Sequence, residues 1–319
     1  MNNSRLTVFP IVHPKLWELY KKQLACFWKA EEIDFSKDRD DFNCLSENEQ
    51  TFIKKILAFF SFADGLINAN LEERFIKEVP EKEAKIAYDF QKTMENIHGE
   101  VYSIMLEVLI PDPVEKQQMF NCIQEVESLK KVHDWVYKWI HSDSRLACRL
   151  VCFALIEGVF FSSAFACIFW IKRVKNKGAA ILNGLVMSNE FIARDEALHT
   201  EFAAEYYKGF IDDKLSREEV SVLVKECVSV VHEFVADCLP YNLMGINKMS
   251  MDQYVESCSD KVCEMLGYEK IFHTEQPFEF MKTIGIYGHT NFFECRPTQY
   301  QDANVLNKSS RQFELQLDF

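Results

Sequence analysis

At residues 95–102 the chain reads Glu-Asn-Ile-His-Gly-Glu-Val-Tyr. On a helix, Glu95 and His98 stand three residues apart on one face, and Tyr102 follows one turn later on it. Farther along, Glu196-Ala-Leu-His199 repeats the Glu-x-x-His spacing. A carboxylate and an imidazole offered from one helix face suit a borderline first-row transition metal, and two such faces suit two metals. The spacing alone is a weak signal. In an acid-rich chain with 8 histidines one such match is expected by chance, and a salt-bridged surface histidine is its ordinary meaning. Where the two matches fall along the chain decides between these readings.

The 319 residues are enough to bury a large core. With only 10 Gly and 8 Pro, the composition favours long uninterrupted helices over a turn-rich β architecture. A net charge of −13 argues against DNA or RNA as a partner. There is no G-x-G-x-x-G or Walker-type loop to cradle a nucleotide. The 11 cysteines contain no C-x-x-C pair, and the start Met-Asn-Asn-Ser-Arg has no apolar signal segment. Buried free thiols in a reducing compartment, the cytoplasm, are therefore expected. From Val151 to Ile171 the chain is apolar with Glu157 its only charge, long enough to span a bilayer. Because no other segment has that character, a helix buried on all sides of a soluble bundle is expected, with no membrane partner.

The pattern predicts an all-α chain. A helix opened by Pro14 covers 14–29, with Trp28 near its end, and 31–41 is an acidic connector. Ser46-Glu-Asn-Glu49 is a capping box opening a helix to about 79, before Pro80. A second long helix runs over 81–110 to Pro111-Asp-Pro113. One or two shorter helices fill 114–142. The apolar helix covers 144–174, and further helices cover 178–210, 213–239 (with Ser216-Arg-Glu-Glu219 as a second capping box) and 250–267. Residues 1–300 are read as one helical domain and 301–319 as a flexible tail.

Asp64, the Glu95/His98 pair, Glu157 and the Glu196/His199 pair each fall near the middle of one long helix, and mid-helix positions in a bundle share a layer. Four carboxylates would neutralise two divalent cations and so make their own burial tolerable; without metal they would have to protonate. One carboxylate from each of two helices with Glu-x-x-His from two others is the ferritin-like di-iron or di-manganese pattern, here with Asp64 in place of one Glu. Oxygen ligands with two imidazoles favour iron or manganese over copper. Tyr102, a turn from His98, is the better oxidation target; Tyr88 shares the stripe but lies ten residues before His98. Phe161, Phe165 and Ile192 could wall Tyr102 from water, although most buried tyrosines are ordinary core residues. At the tail, Phe313, Leu315, Leu317 and Phe319 alternate with polar residues. That pattern suits docking into another protein's groove, against the plainer reading of a disordered end.

The segments MENIHGEVYS (94–103), ALIEGVFFSSAFA (154–166), SNEFIARDEALH (188–199), FWKAEEIDFSKD (27–38) and NFFECRP (291–297) closely resemble the small, radical-generating subunit of class I ribonucleotide reductase. The vertebrate and poxvirus branch is most similar. The resemblance implies a ferritin-like homodimer binding two irons per chain through Asp64, Glu95, His98, Glu157, Glu196 and His199. Oxygen would serve to activate the centre, oxidising Tyr102 to a stable radical. It also implies an electron route over Trp28, Asp195 and His98, with Arg194 beside it and Tyr300 near the tail. The last seven residues would anchor to the large catalytic subunit, where ribonucleoside diphosphates are reduced. The sequence lacks the longer N-terminal extension of the cellular vertebrate proteins, which favours the viral branch and hence the host cytoplasm. Two rivals remain at this stage: a di-iron oxidase or ferroxidase without a lasting radical, and a metal-free helical scaffold acting through its tail.

Overall fold

The computed structural model describes residues 5–172, 181–238, 246–282 and 284, and among these the regular structure is helical, with no strand. Tyr300 and the tail residues Phe313, Leu315, Leu317 and Phe319 lie outside the described residues. Helix α1 (Pro14–Ala25) opens on proline, whose missing N–H costs nothing in a first turn. It buries Leu16, Leu19 and Gln23 and stops four residues earlier than the periodicity predicts. Cys26 N–H turns back to Gln23 O at 3.0 Å and Phe27 N–H to Leu24 O at 3.3 Å, which closes the last turn. Trp28 is thus placed beyond the helix end, and it is nevertheless buried.

The segment expected to be a connector contains a short helix, α2 (Asp38–Asn43), with Asp38 buried. Its acids serve a distant element, the start of helix α8 (Asn183–Phe210). Asp38 accepts the N–H groups of Gly184 at 3.0 Å and Leu185 at 2.6 Å, and Asp41 accepts that of Leu182 at 2.8 Å. These donors have no partner within their own helix, so a carboxylate supplied from elsewhere satisfies them. The approach is close. A Cβ on Gly184 would meet Asp34 O and Asp38 Oδ2 at 2.9 Å, so only glycine fits.

Helix α3 (Glu47–Asn70) continues through a π turn, Leu71–Phe75, into Ile76–Glu78. At its start Ser46 N–H and Oγ both donate to Glu49 Oε2, at 2.9 and 2.6 Å. Helix α4 (Lys82–Leu109) follows Pro80 and ends before Pro111, as expected. Helices α5 (Pro113–Glu125) and α6 (Glu127–Ile140) form the connection. Helix α7 (Leu146–Trp170) is long and apolar enough to cross a membrane, but its most apolar stretch is wholly buried in the protein. Helices α9 (Arg217–Cys238) and α10 (Lys248–Leu266) complete the set. Ser216 and Glu219 cap α9 reciprocally, at 2.7 and 3.2 Å.

Helix α4 packs on α1 and α3, α8 packs on α4, α7 and α10, and α7 also meets α3. The four helices α3, α4, α7 and α8 therefore close around one core, whose apolar side chains form a single cluster. Burial of that surface is the main force holding the bundle. Eight of the cysteines are described as free thiols, six of them buried.

Candidate metal centre

Each of those four helices delivers its acid to one buried layer. Glu95 and His98 come from α4, Glu196 and His199 from α8, and each pair is one turn apart. The pairs also interlock. His98 Nδ1 lies 3.1 Å from its own Glu95 Oε2 and 3.1 Å from Glu196 Oε1 across the bundle. His199 Nδ1 lies 2.8 Å from Glu196 Oε2 and 3.0 Å from Glu95 Oε1. Glu157 projects from a π turn, Ile156–Phe160, within α7. Such turns insert an extra residue into the helix and occur frequently at functional sites.

Donor atoms of Glu95, Glu157, Glu196 and His199 lie within 4.8 Å of one another, a grouping that could hold a metal ion. Asp64 on α3 stands apart from that foursome but is buried, and its charge acts on Glu95, His98, Glu196 and His199. Neither of its carboxylate oxygens has a hydrogen-bond partner. A buried carboxylate left without donors is costly unless a cation faces it.

The protonation pattern follows from this crowding. Burial, then the neighbouring carboxylates, push Asp64 and Glu157 well above the usual range. Burial acts upward on Glu95 too, but the two imidazoles outweigh it and hold its carboxyl at about 2. Burial lowers both histidines, yet the surrounding carboxylates raise His98 well above its ordinary value and His199 to about 9. Protonated imidazoles thus supply the positive charge that this acidic layer demands. Two divalent ions would supply it more fully, with both imidazoles neutral and free to ligate. The donor set and the unpartnered Asp64 oxygens fit iron or manganese.

On the far side of His98, Nε2 lies 3.3 Å from Asp195 Oδ2, which also accepts Trp28 Nε1–H at 2.7 Å. The Trp28 ring stacks on His98 with centroids 6.0 Å apart. Arg194 Nε donates to Asp195 Oδ1 at 2.9 Å and its Nη2 reaches Cys26 O. Burial would raise the Asp195 carboxyl, but Arg194, His98 and Trp28 together hold it below its usual range. The structure therefore brings Trp28, Asp195, Arg194 and His98 into one connected group.

Tyr102 is fully buried and its hydroxyl has no hydrogen-bond partner. Its ring stacks on Phe60 at 4.7 Å, and Phe60 stacks in turn on Phe161 at 5.9 Å and Phe165 at 5.2 Å. Ile192 is fully buried one turn before Glu196. Burial, then the charge of Asp64, keep the phenol protonated well beyond its ordinary range.

Two residues of the layer are neither ligand-type nor redox-type in the sequence pattern. Phe60 is the wall between Tyr102 and the other phenylalanines. Gln91 Nε2 donates to Glu157 Oε1 at 3.0 Å and to Glu95 Oε1 at 3.4 Å, tying α4 to α7. Each stands four residues before a ligand-type acid, Asp64 or Glu95, and that spacing was the available signal.

Comparison with known proteins agrees with this geometry. A profile described as "Ribonucleotide reductase, small chain" matches residues 5–277. The ribonucleoside-diphosphate reductase small chain of Vaccinia virus (strain Ankara) is 42% identical over 318 residues, covering 100% of this chain and 98% of the relative. The protein of the same name from Trypanosoma brucei brucei is 41% identical over 320 residues, covering 100% and 94%. Among solved structures, the ribonucleotide reductase Rnr4 homodimer from Saccharomyces cerevisiae has a TM-score of 0.79 at 33% identity, covering 88% of this chain and 87% of that one. Streptococcus sanguinis dimanganese(II)-NrdF shares the fold, with a TM-score of 0.73 at 16% identity over 88% and 99% of the two chains. Similarity of that strength over the whole length, on a bundle built around paired Glu-x-x-His helices, means that the chain belongs to the ribonucleotide reductase small-chain family.

Proposed function

We propose that this chain is the radical-forming small subunit of a ribonucleoside-diphosphate reductase, working as a homodimer with a separate large subunit that reduces the nucleotide. Asp64, Glu95, His98, Glu157, Glu196 and His199 would hold two irons, with Gln91 steadying Glu157 and Glu95. With dioxygen, bound iron would supply a one-electron oxidant beside Tyr102, and the phenolic proton would pass to the ligand layer, whose carboxylates, Asp64 foremost, act on the phenol. The chain's own residues do the rest. Phe60, stacked on the phenol with Phe161 and Phe165 behind it, and the buried Ile192 would keep water from the ring, so a radical there would persist. Asp195 holds His98 through Nε2 and leaves Nδ1 facing the layer, the usual role of a carboxylate behind a ligating imidazole. The Trp28–Asp195–His98 contacts would give the stored oxidising equivalent a path out of the bundle. Residues 301–319 would form the tail, with Phe313, Leu315, Leu317 and Phe319 seated on the large subunit, and Tyr300 would lie on the route toward it.

The observation that carries this reading is the enclosed Tyr102 hydroxyl, unpartnered one turn past His98. Electron paramagnetic resonance after loading with iron and oxygen tests it. A tyrosyl signal is expected from the protein and none from Tyr102→Phe at unchanged iron content. The same signal in the variant would overturn the assignment to Tyr102, and failure to take up iron or manganese would overturn the centre itself.

A further inference from the structure

The stripe that carries the metal ligands holds a second tyrosine, Tyr88, which neither ligates nor stores the radical. Tyr88 precedes Glu95 by the same seven residues by which Tyr102 follows it. Either offset is two helical turns, about 10.5 Å of rise along the axis. On the facing helix, Tyr206 follows His199 by seven residues as well. The two rings meet with centroids 6.4 Å apart at 63°, and Phe202 of α8 packs edge-on against Tyr88 at 5.1 Å. A phenol pair therefore sits two turns from a ligand on each of two helices, at the end of the layer opposite Tyr102.

The surroundings of the two ends differ in the property that governs tyrosine oxidation. A phenol that loses an electron becomes strongly acidic, so an oxidising equivalent is discharged toward solvent only where a base on the solvent side is in hydrogen-bond contact to take the proton. Tyr88 is fully buried with an unpartnered hydroxyl and has no such base. Tyr206 has one: its hydroxyl donates to Glu81 Oε2 at 2.6 Å, and Glu81 is partly exposed at the start of α4. Tyr102, by contrast, is stacked against Phe60, lies under the charge of the layer's carboxylates, and has no hydrogen-bond acceptor leading to solvent.

We propose that Tyr206, reached through Tyr88 and paired with Glu81, is a second redox-active phenol that drains surplus oxidising equivalents from the metal layer to the surface. The proposal rests on the reading that the layer generates such equivalents. One electron passes from Tyr206 through the Tyr88 ring to a one-electron oxidising equivalent at the layer. The phenolic proton moves from Tyr206 to Glu81 Oε2, leaving a neutral phenoxyl radical and a neutral carboxyl group. A small thiolate reductant in solution then gives up one electron and becomes a thiyl radical, while Glu81 returns its proton to the buried Tyr206 oxygen and so restores the phenol. Tyr102 stores an equivalent; Tyr206 discharges one.

Freeze-quench paramagnetic resonance of full-length protein reacted with iron and oxygen tests this, because it reads the radical rather than turnover. In Tyr102→Phe a transient tyrosyl signal distinct from the wild-type signal is expected, with an oxidised or spin-trapped product mapping to Tyr206 by peptide mass spectrometry. Adding Tyr206→Phe, which keeps the ring packing, should remove both. Glu81→Gln on the Tyr102→Phe background should slow appearance of the transient by about 10²-fold, the usual worth of a positioned proton acceptor. Unchanged transients in both of these further variants would overturn the proposal. If the wild type forms its signal but Tyr102→Phe yields no transient at Tyr206, this inference fails and the reading of Tyr102 stands. If the wild type forms no tyrosyl signal, both fail together.

Discussion

Asp195 shows how one side chain can serve several neighbours at once. Its Oδ2 takes the Trp28 indole N–H and faces His98 Nε2, while its Oδ1 takes Arg194. Burial opposes its charge, and only these partners together keep it ionised. Asn at this position would keep the shape but present an amide where a carboxylate now accepts from three sides. Asp195→Asn is therefore expected to weaken iron binding or reductase turnover by about 10- to 100-fold, the usual cost of losing the partner behind a ligating imidazole. Iron titration followed by turnover with the large subunit separates the two effects. Unchanged values in both would show that the Trp28–Asp195–His98 contacts are only packing.

At the level of elements, the start of helix α8 is controlled from a distance. Its start has no side-chain cap from its own neighbourhood and is instead held by Asp38 and Asp41. This fixes the rotation of the helix that carries Glu196 and His199. Asp38→Ala should cost about 0.5–2 kcal/mol, the range for loss of an N-terminal cap. The upper part is expected because two buried N–H groups lose their partner. Thermal unfolding measures it, and a melting temperature equal to that of the parent would refute the capping role. The capping boxes of α3 and α9 were legible because their partners are three residues apart. The Asp38 cap was not, because the acids and the amides they satisfy are separated by well over a hundred residues.

At the scale of the whole molecule, the apolar helix α7 sets the architecture. It is too apolar to face water and is enclosed by neighbouring helices, which forces its single acid, Glu157, into the same interior as the other ligand-type residues. An acid so placed is stable only with positive charge beside it. The helical domain and the tail are expected to be separable in function. Deleting Phe313–Phe319 should abolish nucleotide reduction with the large subunit while the tyrosyl yield stays unchanged. Loss of both would mean that the tail also supports the fold.

Periodicity, proline stops and the two Glu-x-x-His spacings determined the all-α bundle, the helix that must be buried and the set of acids and imidazoles that had to meet. Those features are encoded by residues within a turn or two of each other, where helix geometry alone sets which side chains share a face. Tertiary structure decided the rest. It crossed Glu95 onto His199 and Glu196 onto His98, and it set Gln91 between Glu95 and Glu157. It also laid Phe60 over Tyr102 and brought Tyr88 against Tyr206. These contacts depend on how whole helices rotate and pack around a common core. Packing of that kind is settled by the summed burial of many side chains and leaves no short-range pattern in the chain.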